Sequence, residues 1–173
     1  MTPGTVYWFT GLSGSGKTTL ATLFCTRLRA TGRPVIMLDG DRLREVFGHD
    51  LGHAEADRRA AAMRNARLCE LLSGQGVDVV CATISLFRSC HEWNRAHLAN
   101  YREVFVDAPV DVLRSRDPHG LYARAARGEL RDVVGLDLPA ELPESPDVTV
   151  ANDGRLSPAE AVEAVWRQLN LPS

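Results

Sequence analysis

The amino-acid sequence predicts an α/β fold, a parallel five-stranded sheet with helices on both faces. Three observations carry that expectation. Short apolar runs alternate with stretches of helical periodicity, the order that builds parallel strands covered on both sides. The first apolar run ends in a glycine-rich turn that opens into a helix, which places a ligand site at the carboxyl edge of the sheet. The 173 residues, 45% of them hydrophobic, suffice for a single domain, 1–173, with its own core.

The elements follow in chain order. Residues 6–10 form an apolar strand, and 17–29 a helix with Leu20, Leu23, Phe24 and Leu28 at helical spacing. The Thr31-Gly32-Arg33-Pro34 break leads to a second strand at 35–38, and residues 42–46 begin a short helix that Asp41 is suited to cap. The longest helix spans 55–73 and stops at Gly74 and Gly76. Strands at 77–83, 104–106 and 148–150 alternate with helices at 89–99 and from 109 to 116. Ser157-Pro158-Ala159-Glu160 combines an N-cap, a first-turn proline and a first-turn carboxylate ahead of a last helix ending near Leu169. Residues 121–146, opened by Asp117-Pro118-His119-Gly120, are polar, Arg-rich and poor in apolar periodicity, and read as a mobile flap over the sheet edge.

Gly11-Leu12-Ser13-Gly14-Ser15-Gly16-Lys17-Thr18 matches GxxxxGK[ST] in full. Its glycines let successive backbone N–H groups turn inward around phosphate oxygens, and the helix that begins at Lys17 adds its positive end. Lys17 brings a compact charge to the β- and γ-phosphates, and Thr18 offers a hydroxyl to Mg²⁺. The expected nucleotide site therefore comprises Gly11, Ser13, Gly14, Ser15, Gly16, Lys17, Thr18 and Thr19, and the fold is of the P-loop NTPase type. Strand three ends in Ala82-Thr83-Ile84-Ser85, without the carboxylate of a usual Walker B. Asp39, at the end of strand two, is the better candidate to approach the Mg²⁺ shell, directly or through water, or the acceptor hydroxyl; Asp107 is a second. No second lysine exists to build the Asn-Lys-x-Asp loop that reads guanine, so ATP is the expected donor and a kinase the expected activity.

Composition removes other classes. Nineteen of the twenty cationic residues are Arg, and the net charge of −2 argues against a protein that coats nucleic acid. No apolar run approaches the roughly 18 residues of a membrane span. The start of the chain lacks a signal-peptide layout, so a cytoplasmic location is expected. Cys25, Cys69, Cys81 and Cys90 form no metal-spaced pairs and read as reduced thiols.

Further motifs resemble the adenylylsulfate (APS) kinase family, small P-loop enzymes that phosphorylate the ribose 3′-hydroxyl of APS. The resemblance runs from Thr5 to Asp153. It rests on the phosphate loop, Leu38-Asp-Gly-Asp with Arg44, Asp57-Arg58, Ile84-Ser85 with Arg88, and Val104-Phe-Val-Asp-Ala-Pro. Arg116-Asp-Pro-His-Gly-Leu-Tyr, Ala126-Arg-Gly-Glu and the prolines from Pro139 to Pro146 complete it. It implies Mg·ATP, a small-molecule acceptor, a homodimer, and a lid at about 117–146 that carries Arg124 and Arg127. It also implies an acceptor site of Asp41, Arg44, His53, Arg58, Ile84, Ser85, Phe87 and Arg88.

The acceptor side departs from the family. His53 and Val133 stand where the family clamps adenine between two Phe rings, Ala61 replaces an Asn, and Met63 replaces an Arg. Leu86-Phe87 replaces Pro-Tyr. Base stacking on an aromatic is worth roughly 1–3 kcal/mol and a hydrogen bond about 1, so APS binding should weaken on the order of a hundredfold. The expectation is a kinase whose acceptor is another anionic, nucleotide-like metabolite, as in a family variant that acts on a cytidine diphosphoramidate. A true APS kinase and an ATP-binding module without transfer are the alternatives.

Overall fold

A computed structural model describes residues 2–117 and 120–172. Pro118 and His119, part of the stretch expected to open the flap, lie outside the described residues. The elements are β1 (Val6–Thr10), α1 (Lys17–Ala30), β2 (Val35–Asp39), α2 (Gly40–Val46), α3 (Glu55–Ser73) and β3 (Asp78–Thr83). They continue with α4 (Arg88–His97), β4 (Tyr101–Asp107), α5 (Val110–Arg116), α6 (Leu121–Ala126), β5 (Val148–Ala151) and α7 (Pro158–Gln168).

The five strands form one parallel sheet in the order β2-β3-β1-β4-β5. Every residue of β1 and β3 is buried, as a strand covered on both faces requires. One face packs on α1 and α7, where Phe24 sits 5.3 Å from both Phe9 and Trp166. The other packs on α3 and α4 through Trp8, Ala66, Cys69 and Cys81. All four cysteines are buried and free, and burial pushes the Cys90 thiol up to about 12. Among the described residues no helix is long and apolar enough to cross a membrane.

Register sets the site. Thr10 pairs with Thr83 and Phe105, and Asp39 pairs with Ala82, so β1, β2 and β3 end along one edge above α1. That edge is where the loops carrying chemistry leave the sheet.

Three elements differ from the sequence reading. The fourth strand begins at Tyr101, three residues earlier than expected, because a charged residue faces inward there. Glu103 is 1% exposed and is held by Arg95 at 2.6 Å and by the Tyr101 hydroxyl at 3.1 Å. Helix α2 is capped by Asp39, whose Oδ1 accepts the Asp41 and Arg42 amides at 3.0 and 3.3 Å, so Asp41 is a first-turn residue and not the cap. The 121–146 segment is docked rather than detached: Tyr122, Val133 and Val134 are buried, with Val134 against Leu86 and Phe105 and Tyr122 against Leu113. Isolated apolar anchors give no periodicity, so the sequence pattern conceals this packing. The Ser157–Glu160 capping box forms as expected.

Candidate active site

The phosphate loop is a turn between the buried strand β1 and the exposed start of α1. Gly16 holds φ +92, and a Cβ there would meet Asn152 Nδ2 at 2.3 Å, so only glycine fits. No side chain caps α1, which leaves its first amides directed at the mouth of the loop. Ser13, Gly14, Gly16, Thr18 and Thr19 line the donor cleft. Gly11 and Ser15 lie buried behind it, where they shape the turn.

Three distant groups brace the loop. Asn152 Nδ2 donates to the Ser15 carbonyl at 2.6 Å. Arg116 donates to the Gly14 and Asn152 carbonyls at 3.3 and 3.1 Å, and its guanidinium borders the donor cleft. The Tyr122 hydroxyl donates to the Ser13 carbonyl at 2.7 Å. Sequence reading assigned none of the three a role.

Lys17 is half-buried between the donor cleft and a second cleft, and its ammonium donates to the Leu12 carbonyl at 3.3 Å. Burial holds its pKa below the ordinary lysine value, and the carboxylates of Asp41 and Asp39 oppose that shift. Thr18 Oγ1 donates to Asp39 Oδ2 at 2.8 Å, so a hydroxyl and a carboxylate sit side by side at the exposed junction of the clefts. Two hard oxygen donors suit Mg²⁺, which keeps water and phosphate oxygens in its other positions. Asp107 borders neither cleft.

The second cleft runs from Lys17 and Asp39 along α2, α3 and the loop after β3. It brings together Asp41, Arg44, Arg58, Ile84, Ser85 and Phe87 of the expected acceptor residues. Arg44 donates to the Leu51 and Gly52 carbonyls at 2.7 and 3.3 Å, and Arg58 to the His53 carbonyl at 2.7 Å. Burial lowers the Arg58 pKa and the Arg44 charge adds to it, while Asp132 and Asp137 oppose. The Thr10 hydroxyl donates to the Ile84 carbonyl at 2.5 Å, and Ser85, at φ +32, shares a 2.8 Å hydrogen bond with Thr83. Phe87 lies under the Arg59 guanidinium, 4.5 Å from the ring centre.

Four expected residues stand apart from both clefts. His53 is exposed beside Arg44, 3.5 Å from its guanidinium, and burial together with the Arg44 and Arg58 charges lowers its pKa. Arg88 turns to Glu144 at 2.6 Å. Arg124 and Arg127 are exposed and engage Glu129 at 3.7 and 2.5 Å.

Residues that sequence reading passed over take part of the space. Phe47, Asp50, Arg64 and Asn65 line the cleft. Arg64 stacks 4.1 Å over the Phe47 ring and makes a bidentate pair with Asp50 at 2.8 and 3.1 Å. Met63 turns away, against the core under α3. The spacing Arg58, Ala61, Ala62, Asn65 is that of one helix face and was the available signal.

Comparison with known proteins agrees with this architecture. The family model described as adenylylsulphate kinase matches residues 3–151. The bifunctional enzyme NodQ of Rhizobium sp. (strain N33) is 44% identical over 95% of the chain, which spans only 26% of that protein's length. An adenylyl-sulfate kinase of Synechococcus sp. (strain JA-3-3Ab) is 41% identical over 96% of the chain and 94% of its own. A cytidine diphosphoramidate kinase of Campylobacter jejuni is 36% identical over 96% of both chains. The Mycobacterium tuberculosis APS kinase CysC, solved with AMPPNP and APS, superposes with a TM-score of 0.90 at 35% identity, covering 98% of this chain and 99% of that one.

Proposed function

The chain belongs to the adenylylsulphate kinase family of ATP-dependent kinases, and from that premise we propose that it phosphorylates a hydroxyl of an anionic, nucleotide-like metabolite other than APS. The observation that carries the reading is the contrast between the two clefts. The donor side keeps its loop, its lysine and the Thr18–Asp39 pair. The acceptor side has an exposed His53 and a buried Val133 where an aromatic clamp would close on adenine, and Ala61 lines its wall. The similarity to the C. jejuni enzyme supports a changed acceptor.

In this reading Lys17 and the first amides of α1 hold the β- and γ-phosphates, and Arg116 adds charge at the rim. Thr18 and Asp39 would hold Mg²⁺, which when bound would supply charge neutralisation for the transferring group. Asp39 orients the acceptor hydroxyl for in-line attack, and Arg44 and Arg58 grip the acceptor's anionic part. The 121–146 segment acts as a lid: through Tyr122 it rests on the phosphate loop, so its closure would exclude water from the transferring group.

A second reading, a true APS kinase, draws support from Arg44, Arg58 and Ser85, which line the cleft as an anion site would. A coupled ADP-release assay decides between the two, with APS against cytidine and uridine diphosphate derivatives and phospho-sugars. The first reading expects faster turnover of a non-APS acceptor. Robust turnover of APS at micromolar concentration would overturn it in favour of the second.

A further inference from the structure

Asn65 is 6% exposed and lines the second cleft, no side-chain hydrogen bond among the described residues engages its carboxamide, and its polar atoms are not among the sealed, unpaired ones, so the amide edge stays open to the cleft. A mostly buried amide whose open edge faces a cleft marks a place for a ligand, because an occupant that displaces water there must supply its hydrogen bonds. Most of its neighbours in the cleft are already engaged. Thr83 and Ser85 bond each other, Arg44 donates to two backbone carbonyls, and both terminal nitrogens of Arg64 are held by Asp50, leaving its Nε buried without a partner. Ala61 and Ala62 offer only methyl groups beside it.

We propose that Asn65 hydrogen-bonds the phosphoryl acceptor directly and determines which acceptor is used. The inference rests on the second cleft being the acceptor site. A carboxamide presents a donor and an acceptor without charge, and the Asp50 carboxylate takes up the Arg64 charge next to it in sequence. The middle of α3 therefore matches an uncharged, reciprocating group of the acceptor, such as an amide-like base edge, an amine or a hydroxyl. Arg58 stands two turns back along the same helix, about 10 Å away, where it serves the anionic part. An acceptor without a partner for Asn65 would leave a buried amide unpaired, and sites of this kind reject such analogues strongly.

The test uses the full chain carrying Asn65→Leu, close in volume but unable to hydrogen-bond, and Asn65→Ala. Steady-state constants are measured for ATP, APS, CDP and cytidine diphosphoramidate, with calorimetric binding of the same three acceptors. Acceptor KM should rise on the order of tenfold in both variants, with kcat and the KM for ATP unchanged within about twofold. Unchanged acceptor KM overturns the proposal. So does a parallel loss in kcat and in ATP KM, the mark of a purely structural amide. If the leucine variant fails to fold, the alanine variant decides. A wild-type chain that neither binds nor phosphorylates any of the three, nor any uridine diphosphate derivative or phospho-sugar, overturns both this inference and the acceptor reading of the cleft. Wild-type turnover with indifferent variants overturns this inference alone.

Discussion

Thr18 Oγ1 donates to one oxygen of Asp39 at 2.8 Å while the other oxygen of the same carboxylate caps α2. One side chain thus joins the start of α1, the end of β2 and the start of α2.

That double engagement separates chemistry from stability at position 39. Asn caps a helix as well as Asp, so Asp39→Asn should melt near the wild type while kcat falls on the order of a hundredfold or more. Asp39→Ala should also lose about 1 kcal/mol of stability. Steady-state rates and thermal denaturation check both. An unchanged kcat in Asp39→Asn would hand the role to Asp41, the other carboxylate bordering both clefts.

Lys17 carries a folded-state pKa below its ordinary value of 10.5, because burial disfavours the ammonium. A lysine shifted downward makes the native state bind fewer protons than the unfolded chain. It therefore costs stability below the folded pKa, and that cost fades as pH rises from the folded value toward 10.5. Lys17→Met should abolish turnover, raise the melting temperature at pH 7, and lose that advantage as pH approaches 10.5. A melting temperature at pH 7 below wild type would contradict the assignment of burial as the dominant cause.

Tyr122→Phe removes the hydroxyl that donates to the Ser13 carbonyl at 2.7 Å. The loss should be about 1 kcal/mol, read as a roughly fivefold higher KM for ATP, with the fold intact by circular dichroism. An unaltered KM would show that Tyr122 packs the segment without steadying the phosphate loop.

Gly135 holds φ +87, and a Cβ there would come within 2.6 Å of Leu12 Cδ2. Gly135→Ala should cost about 1–2 kcal/mol from backbone strain alone and lift residues 121–138 from the loop. Hydrogen exchange should then quicken in that segment and stay unchanged in β1. Unchanged protection throughout would mean that Leu12 yields and the segment stays docked.

Local patterns made much of the fold legible. Helix α3 spans 55–73 as its periodicity and terminal glycines predict, and the phosphate loop is a contiguous motif between a strand and a helix. What stayed hidden depends on partners far along the chain. Glu103 reads as a surface charge until Arg95 and Tyr101 close around it, so the start of β4 was missed. Asn152 and Arg116 lie 137 and 101 residues from the Ser15 carbonyl they approach, and no periodicity links them. Asn65 was readable by helical spacing, but helix faces are populated by many residues, and only its burial and lack of a partner set it apart. Four predicted residues stand outside the clefts because other side chains hold or flank them: Arg124 and Arg127 pair with Glu129 of their own segment, Arg88 pairs with the distant Glu144, and His53 lies beside Arg44.

The bracing of residues 14–16 by Arg116 and Asn152 also has a consequence for biosynthesis. Along the chain the nucleotide loop precedes the Arg116 and Asn152 side chains that brace it by 101 and 137 residues, so it leaves the ribosome well ahead of them. The central strand β1 likewise waits for β3 and β4 before it has neighbours. A nascent chain therefore carries the complete phosphate motif long before it holds the shape that grips a nucleotide. Competence to bind ATP arrives in one late step, and a stalled or truncated chain ending before Asn152 should neither sequester nor consume the nucleotide.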